Sequence, residues 1–156
     1  MSYDRIQAVN YAQTWALSHN PNFQDFSLLG GDCTNFCSQC LYAGCKVMNY
    51  TPVIGWYYIS LNNRAPAWSG VSEFYNFLIN NNGVGPYGEP CNLSDLEIGD
   101  FIQLGNEFGF YHCLFVSGFS GNIPLVCSHS YDRLNAPLTV YYYERVRFIK
   151  ILGVNY

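Results

Sequence analysis

The stretch Gly30-Gly31-Asp32-Cys33-Thr34-Asn35-Phe36 gives the clearest local indication of the fold of this chain. A glycine pair followed by aspartate is typical of a tight turn that opens a helix, with Asp32 predicted as the N-cap and Cys33 in the first turn. The buried stripe of that helix, which Gly44 ends, is predicted to consist of Phe36, Cys37, Cys40 and Leu41. A helix N-terminus stabilises a thiolate and an anion that develops on a bound carbonyl. The stretch therefore favours a cysteine nucleophile at Cys33.

Helical patterns precede strand patterns along the rest of the chain. Residues 4–18 and 71–80 are predicted as further helices, residues 50–70 as a long loop, and residues 80–86 as a break. Short β-rich runs then follow, at residues 101–104, 110–117, 124–130, 138–143 and 146–152. Helices followed by strands predict an α+β layered architecture, and the length of 156 residues predicts a single domain over residues 1–156.

The composition excludes several classes of protein. Hydrophobic residues make up 49% and charged residues 12% of the chain, which is typical of a folded domain and not of a disordered one. The net charge of −4, with only seven scattered Lys and Arg, gives no attraction for nucleic acid, so we expect no nucleic-acid partner. No apolar run is long enough for a bilayer, and residues 1–20 lack the pattern of a secretory signal, so we expect no membrane partner.

Seven cysteines raise the alternatives of disulfides and zinc. An odd number, with four of them within residues 33–45, argues against a full disulfide framework, and most are predicted to be small buried thiols. Cys37-x-x-Cys40 with Cys45, Cys33 or a histidine could supply four zinc ligands. Since no second Cys-x-x-Cys pair exists, the sequence predicts no metal and no cofactor.

Only three histidines, His19, His112 and His129, are available as a base. If residues 119–122 form a four-residue hairpin loop, Gly118 pairs with Ile123, and His112 then lies opposite His129 on one face of the sheet. Cys33, His112 and His129 would form a nucleophile, a base and an orienting group, with Asp132 as a rival for the third role. The alternative is that Cys33 is a core residue and both histidines only satisfy buried hydrogen bonds.

The motifs that point to a known family are the segment from Gly31 to Gln39, Gly99-Asp100, His112 and residues 128–132. Through these residues the chain resembles the bacterial putative amidase domain family, which is similar to the NlpC-type and CHAP cell-wall hydrolases. Tyr11-Ala12 and Asn20-Pro21 extend the resemblance over nearly the whole chain. It implies a papain-like fold, with a nucleophile helix packed on an antiparallel sheet. It also implies Cys33 as nucleophile, His112 as base, His129 as the third polar residue, and Asp32 and Thr34 as substrate contacts. Two residues depart from the family pattern, namely Cys37 and Cys45.

The resemblance implies hydrolysis of an amide bond in peptidoglycan, as an N-acetylmuramoyl-L-alanine amidase with a Cys-His mechanism and no cofactor. A stem-peptide endopeptidase with the same mechanism and a non-catalytic cell-wall-binding module are the alternatives. Trp56 and Trp68 are candidates for lining the substrate groove, or equally core residues. We expect an extracellular or cell-wall location, as a secreted enzyme or a phage-released lysin, and a possible separate cell-wall-binding domain beyond Tyr156.

Overall fold

The computed structural model describes residues 2–156 and contains three helices of ten residues or more. Helix α1 (Arg5–Trp15) begins after Asp4, whose carboxylate accepts a hydrogen bond from the Gln7 amide. Helix α2 (Cys33–Cys45) ends at Lys46, which adopts a left-handed conformation and donates its amide to the Tyr42 carbonyl. Helix α4 (Val71–Asn80) follows a short helix α3 (Pro66–Ser69). The three helices predicted from periodicity are thus confirmed, although α1 ends three residues earlier than predicted.

The segment predicted as a long loop is folded. It contains a small antiparallel hairpin, β1 (Tyr58–Ser60) and β2 (Asn63–Arg64), as well as helix α3. Its two tryptophans, Trp56 and Trp68, are completely buried with their ring centroids 4.9 Å apart. The prediction of an irregular insert is wrong here because burial of aromatic surface stabilises short elements that have no clear periodicity.

Six antiparallel strands form the main sheet, in the order β3-β8-β4-β5-β6-β7. Their bounds are β3 (Gly85–Cys91), β4 (Phe101–Asn106), β5 (Gly109–Ser120), β6 (Ile123–Ser128), β7 (Arg133–Pro137) and β8 (Arg145–Asn155). Strands β4, β5, β6 and β8 confirm four predicted runs. The predicted strand over 138–143 is wrong, since Leu138–Val140 forms a 3₁₀ turn. The sequence did not predict β3, whose two prolines are tolerated because β3 is an edge strand.

The sheet separates two hydrophobic clusters. Cys113, Phe115 and Cys127 face the helices, whereas Leu114 and Val126 face a smaller cluster on the other side. Successive residues of a strand point to opposite faces of the sheet. In this part of β5 the odd-numbered residues therefore face the helices, and the even-numbered residues face the smaller cluster. Helices on one face of an antiparallel sheet confirm the predicted α+β architecture.

Gly99-Asp100 joins helix α1 to the sheet. Asp100 is fully buried and accepts hydrogen bonds from Arg5 at 2.8 Å and from the amide of Ile151 at 2.9 Å. This link fixes the N-terminal end of α1, which a hydrogen bond from the Asp4 amide to the Gly44 carbonyl joins to the end of α2. Within residues 2–156, no helix has the length and apolar character needed to cross a membrane.

Candidate active site

Cys33 is the first residue of α2 and is reached from a turn in which Gly30 and Gly31 have φ angles of 102° and 110°. Glycine accommodates these angles, which other residues rarely adopt. The residue is only 8% exposed, and burial raises the pKa of its thiol to about 11. Its Sγ lies 3.8 Å from Thr34 Oγ1. In this conformation the loss of hydration therefore outweighs the helix N-terminus, and the thiol is protonated at neutral pH.

Asp32 does not cap the helix that it precedes. Its side chain makes no cap hydrogen bond, and the residue is completely buried. One carboxylate oxygen, Oδ1, accepts hydrogen bonds from the Phe26 amide and from Asn35 Nδ2, both at 2.8 Å. The other oxygen, Oδ2, lies 2.6 Å from Nδ1 of His129. Asp32 thus occupies the predicted N-cap position, but its side chain does not cap the helix. A fully buried carboxylate with these partners offers no exposed surface to a substrate in this conformation.

His129 follows β6 and is bonded at both ring nitrogens. Nδ1 contacts Asp32, and Nε2 lies 2.8 Å from the carbonyl oxygen of Trp15. The ring stacks on Phe36, with centroids 4.0 Å apart. Burial alone would lower the pKa of His129, but the hydrogen bonds to Asp32 and Trp15 raise it above its usual value. Each ring nitrogen of His129 faces a hydrogen-bond acceptor, as expected for an imidazolium in which both nitrogens carry a proton. This imidazolium forms a buried ion pair with Asp32.

His19 joins this pair from the end of the N-terminal segment. Its Nε2 lies 3.5 Å from Asp32 Oδ2 and 3.3 Å from Asp25 Oδ1, and its ring centroid is 4.5 Å from that of His129. The Nε2 atom is buried and makes no hydrogen bond. Sequence reasoning did not place His19 in the site, because nothing in its spacing connects it to Asp32. It follows the turn that ends α1, in which the Ser18 amide donates to the Trp15 carbonyl.

His112 lies on the other face of the sheet. It pairs with Leu104, which belongs to the cluster opposite the helices, and its ring centroid is 5.6 Å from that of Tyr141. Burial lowers the pKa of His112 to about 4, so the imidazole is neutral. Its neighbour Cys113 is the residue that faces α2. The structure therefore does not bring His112 to Cys33.

The register between β5 and β6 explains the difference. The hairpin loop has two residues, Gly121 and Asn122, because Ser120 pairs with Ile123 and Gly118 pairs with Leu125. An irregularity between Val116 and Gly118 then shifts the ladder by one residue. The predicted pairing of Gly118 with Ile123, and with it the placement of His112 opposite His129, is wrong. A one-residue shift sends a side chain to the opposite face of a sheet.

The residues predicted to contact substrate are also buried. Trp56 donates its indole N–H to Ser38 Oγ at 3.0 Å, and Trp68 donates to Asn35 Oδ1 at 2.9 Å. Thr34 lies within the first turn of α2 and is almost completely buried. The placement of both tryptophans in a groove is wrong for this structure. They fill the core between α2 and the hairpin, where polar side chains of α2 satisfy their N–H groups.

All seven cysteines are free thiols, and those on the inner face of α2 lie in the core beside the sheet. Among residues 2–156, the group of at least three metal-ligating side chains with donor atoms within 4.8 Å of one another consists of His19, Asp32 and His129. It contains no cysteine, so the zinc alternative built on Cys37-x-x-Cys40 is not the arrangement found. Asp132, the rival third residue, is exposed. The carboxylate that holds His129 is Asp32.

Two surface cavities lie away from Cys33. One of about 780 Å³ is formed by residues 89–97 and Lys150, and the other, of about 710 Å³, lies between α4 and residues 49–54. Cys33 lines neither of them. The side chain of Cys33 is nearly buried. The turn before α2 is tied to the segment after His129 by a hydrogen bond from the Asp32 amide to Ser130 Oγ at 2.8 Å.

Comparison with known proteins identifies the family through one family model. The model of the family described as "Putative amidase domain" matches residues 2–152. Two relatives from Bacillus subtilis (strain 168) are similar to this chain: "Uncharacterized protein YhbB" is 31% identical over 135 residues, and "Uncharacterized protein YjcM" is 26% identical over 144 residues. The matches cover 83% and 86% of this chain but only 42% and 32% of the relatives. No solved structure matches. The chain belongs to the family described as "Putative amidase domain".

Proposed function

We propose that this protein hydrolyses an amide bond of peptidoglycan, with Cys33 as the nucleophile. The description of its family suggests amidase activity. The observation that carries the proposal is the position of Cys33 as the first residue of α2. Nucleophilic cysteines work at such positions because the free N–H groups of the first turn stabilise negative charge. We also propose that the helices and sheet are layered as in papain-like enzymes.

The unusual role of Asp32 supports an oxyanion site. A capping aspartate would accept hydrogen bonds from the first-turn amides, but the Asp32 carboxylate is bonded to Phe26, Asn35 and His129 instead. The first helical hydrogen bond runs from the Phe36 amide to the Asp32 carbonyl, and no side chain caps the amides before it. These donors are thus available to the oxygen of a bound carbonyl while the thiol attacks its carbon.

We propose that His129, after its imidazolium has released one proton to solvent, accepts the proton of the Cys33 thiol and passes it to the leaving amine. Asp32 directly precedes Cys33 and holds His129 at the start of α2, whereas His112 lies on the opposite face of the sheet. Asp32 then orients the imidazole in the way that the carboxylate of a catalytic triad does. In this conformation Nε2 is bonded to Trp15, so the reaction requires the ring to exchange that carbonyl for the thiol.

Peptidoglycan is proposed as the substrate because the Asp-Cys-Thr-Asn-Phe block resembles that of cell-wall hydrolases. The bond is proposed to be the one between muramic acid and L-alanine, and the protein is proposed to act outside the cell or at the wall. A stem-peptide endopeptidase would use the same residues. Mass spectrometry of the fragments released from a defined cell wall distinguishes the two, since each bond leaves a different new amine.

The experiment compares wild type with Cys33→Ala and a matched control, Cys91→Ala. Cys91 is a thiol on the edge strand β3, remote from α2. Release of fragments should fall at least a thousandfold in Cys33→Ala and remain unchanged in Cys91→Ala. His129→Ala should lose about 10²–10⁴-fold, and His112→Ala much less. Unchanged release by Cys33→Ala would overturn the proposal, and binding to walls without any product would identify a non-catalytic module.

A further inference from the structure

We propose that His19, Asp32 and His129 bind a divalent transition-metal ion of the Zn²⁺ class, with Asp25 as the fourth ligand. The donor atoms of the first three residues all lie within 4.8 Å of one another. They come from three separate parts of the chain, namely the segment after α1, the start of α2 and the turn after β6. Two imidazoles with carboxylates form a donor set that suits zinc.

Two donor-to-donor distances at His19 are close to the edge length of a tetrahedral site. Donors about 2.0–2.1 Å from a zinc ion lie about 3.4 Å apart along the edges of the tetrahedron. His19 Nε2 is 3.3 Å from Asp25 Oδ1 and 3.5 Å from Asp32 Oδ2. The distance of 2.6 Å between His129 Nδ1 and Asp32 Oδ2 is that of a direct hydrogen bond. A bound cation would replace the shared proton and open this pair by less than about 1 Å.

A second layer of hydrogen bonds already orients the ligands. The carbonyl of Trp15 accepts from His129 Nε2, so a cation that displaces the Nδ1 proton would find the tautomer whose Nδ1 lone pair faces the cluster. The Oδ1 atom of Asp32 is occupied by two donors, which leaves Oδ2 for a metal. The Oδ1 atom of Asp25 accepts from the amide and the hydroxyl of Ser27, so the carboxylate would have to turn its other oxygen, Oδ2, towards a metal. Ligands fixed in this way lose little conformational freedom on binding a metal.

An unsatisfied atom marks the centre of the cluster. His19 Nε2 is the buried side-chain nitrogen or oxygen that lacks a hydrogen-bond partner within residues 2–156. Such atoms are rare in folded proteins, and an ion is one of their ordinary partners. Two carboxylates and two neutral imidazoles would balance the charge of a divalent cation. Three of these ligands already lie together, and Asp25, 3.3 Å from His19 Nε2, is the carboxylate that would have to move in to complete the set.

The inference rests on this donor set and not on amide hydrolysis. One consequence does rest on the proposed function: a cation on Nδ1 of His129 would hold the imidazole in place and keep it from carrying a proton for Cys33. Zn²⁺ should then inhibit fragment release by at least tenfold, and a chelator should restore it.

The test is titration of the metal-stripped full chain with zinc chloride by calorimetry. One equivalent should bind, and His19→Ala should weaken binding at least tenfold, whereas His112→Ala, whose imidazole lies on the other face of the sheet, should bind as the wild type does. With Co²⁺ as probe, the visible bands of a four-coordinate site should appear without the strong near-ultraviolet charge-transfer band of a cobalt–thiolate bond. Absence of binding, a thiolate band, or wild-type affinity in His19→Ala would overturn the proposal.

Two further measurements keep the test decisive. If His19→Ala does not fold, bound Zn²⁺ in the wild type should protect His19 from diethylpyrocarbonate, and unprotected modification would overturn the site. Asp25→Asn, at a partly exposed position, should bind several-fold more weakly with an unchanged melting temperature. A protein that binds zinc but cleaves no amide would refute the proposed function alone, and one that cleaves amides but binds no zinc would refute this inference alone.

Discussion

Asp32 and His129 lie 97 residues apart in the sequence, and their side chains meet at 2.6 Å. The contact joins the start of α2 to the end of β6 and is shielded from solvent at both residues. A buried carboxylate is costly unless it is paired and fully hydrogen-bonded, and Asp32 has a partner for each oxygen. The position directly before Cys33 is thus fixed by tertiary contacts as much as by the turn that precedes it.

Asp32→Asn should strongly destabilise the protein. The substitution leaves the His129 imidazole without its counter-ion in a buried environment, for which a loss of about 3–5 kcal/mol in the free energy of unfolding is expected. Urea denaturation measures it. Asp132→Asn, at an exposed position, serves as the control and should change stability by no more than about 0.5 kcal/mol. Equal effects of the two variants would contradict the ion pair.

His112 should make stability depend on pH. Its pKa is lowered from 6.5 to about 4 in the folded protein, so between these values the unfolded chain binds a proton that the folded chain does not. The contribution of the neutral, buried His112 to the free energy of unfolding is fully present above pH 6.5 and is lost as the pH falls towards 4. Compared with His112→Gln, the wild type should lose about 2 kcal/mol between pH 8 and pH 5. Parallel pH profiles would show that His112 is freely hydrated.

Trp68→Phe distinguishes a core tryptophan from one that lines a groove. The phenyl ring keeps most of the packing but leaves Asn35 Oδ1 without its donor, at a cost of about 1–3 kcal/mol. The matched control is Tyr142→Phe, at a side chain that is largely exposed, and its stability should not change. Unaltered stability of Trp68→Phe together with weaker binding of wall fragments would instead place the indole in a substrate groove.

The β5–β6 turn can be tested at Gly121, whose φ of 59° lies in the left-handed region. A β-branched residue is strained there, so Gly121→Val should cost about 1–2 kcal/mol, while Gly121→Asn should cost a few tenths because asparagine tolerates this conformation. Thermal unfolding compares the two. Equal melting temperatures would argue against the two-residue loop and thus against the register that turns His112 away from α2.

Helices and strands with strong local signals were predictable from the sequence alone. Helical spacing and flanking Gly and Pro located α1, α2 and α4, and apolar runs located β4, β5, β6 and β8. Cys33 was placed at a helix start because the Gly-Gly-Asp turn is a local feature. These features depend on neighbours a few residues away, so the sequence shows them directly.

The side chains that meet at the start of α2 could be identified only from the tertiary structure. The pairing of His112 with Leu104 in β4 sets the face that His112 occupies, and the chain after α1 brings His19 to within 3.5 Å of Asp32. The side chain of Asp32 turns away from its own helix because His129, Phe26 and Asn35 offer buried partners. Register and long-range pairing depend on the whole sheet and on burial, and a local pattern does not encode them.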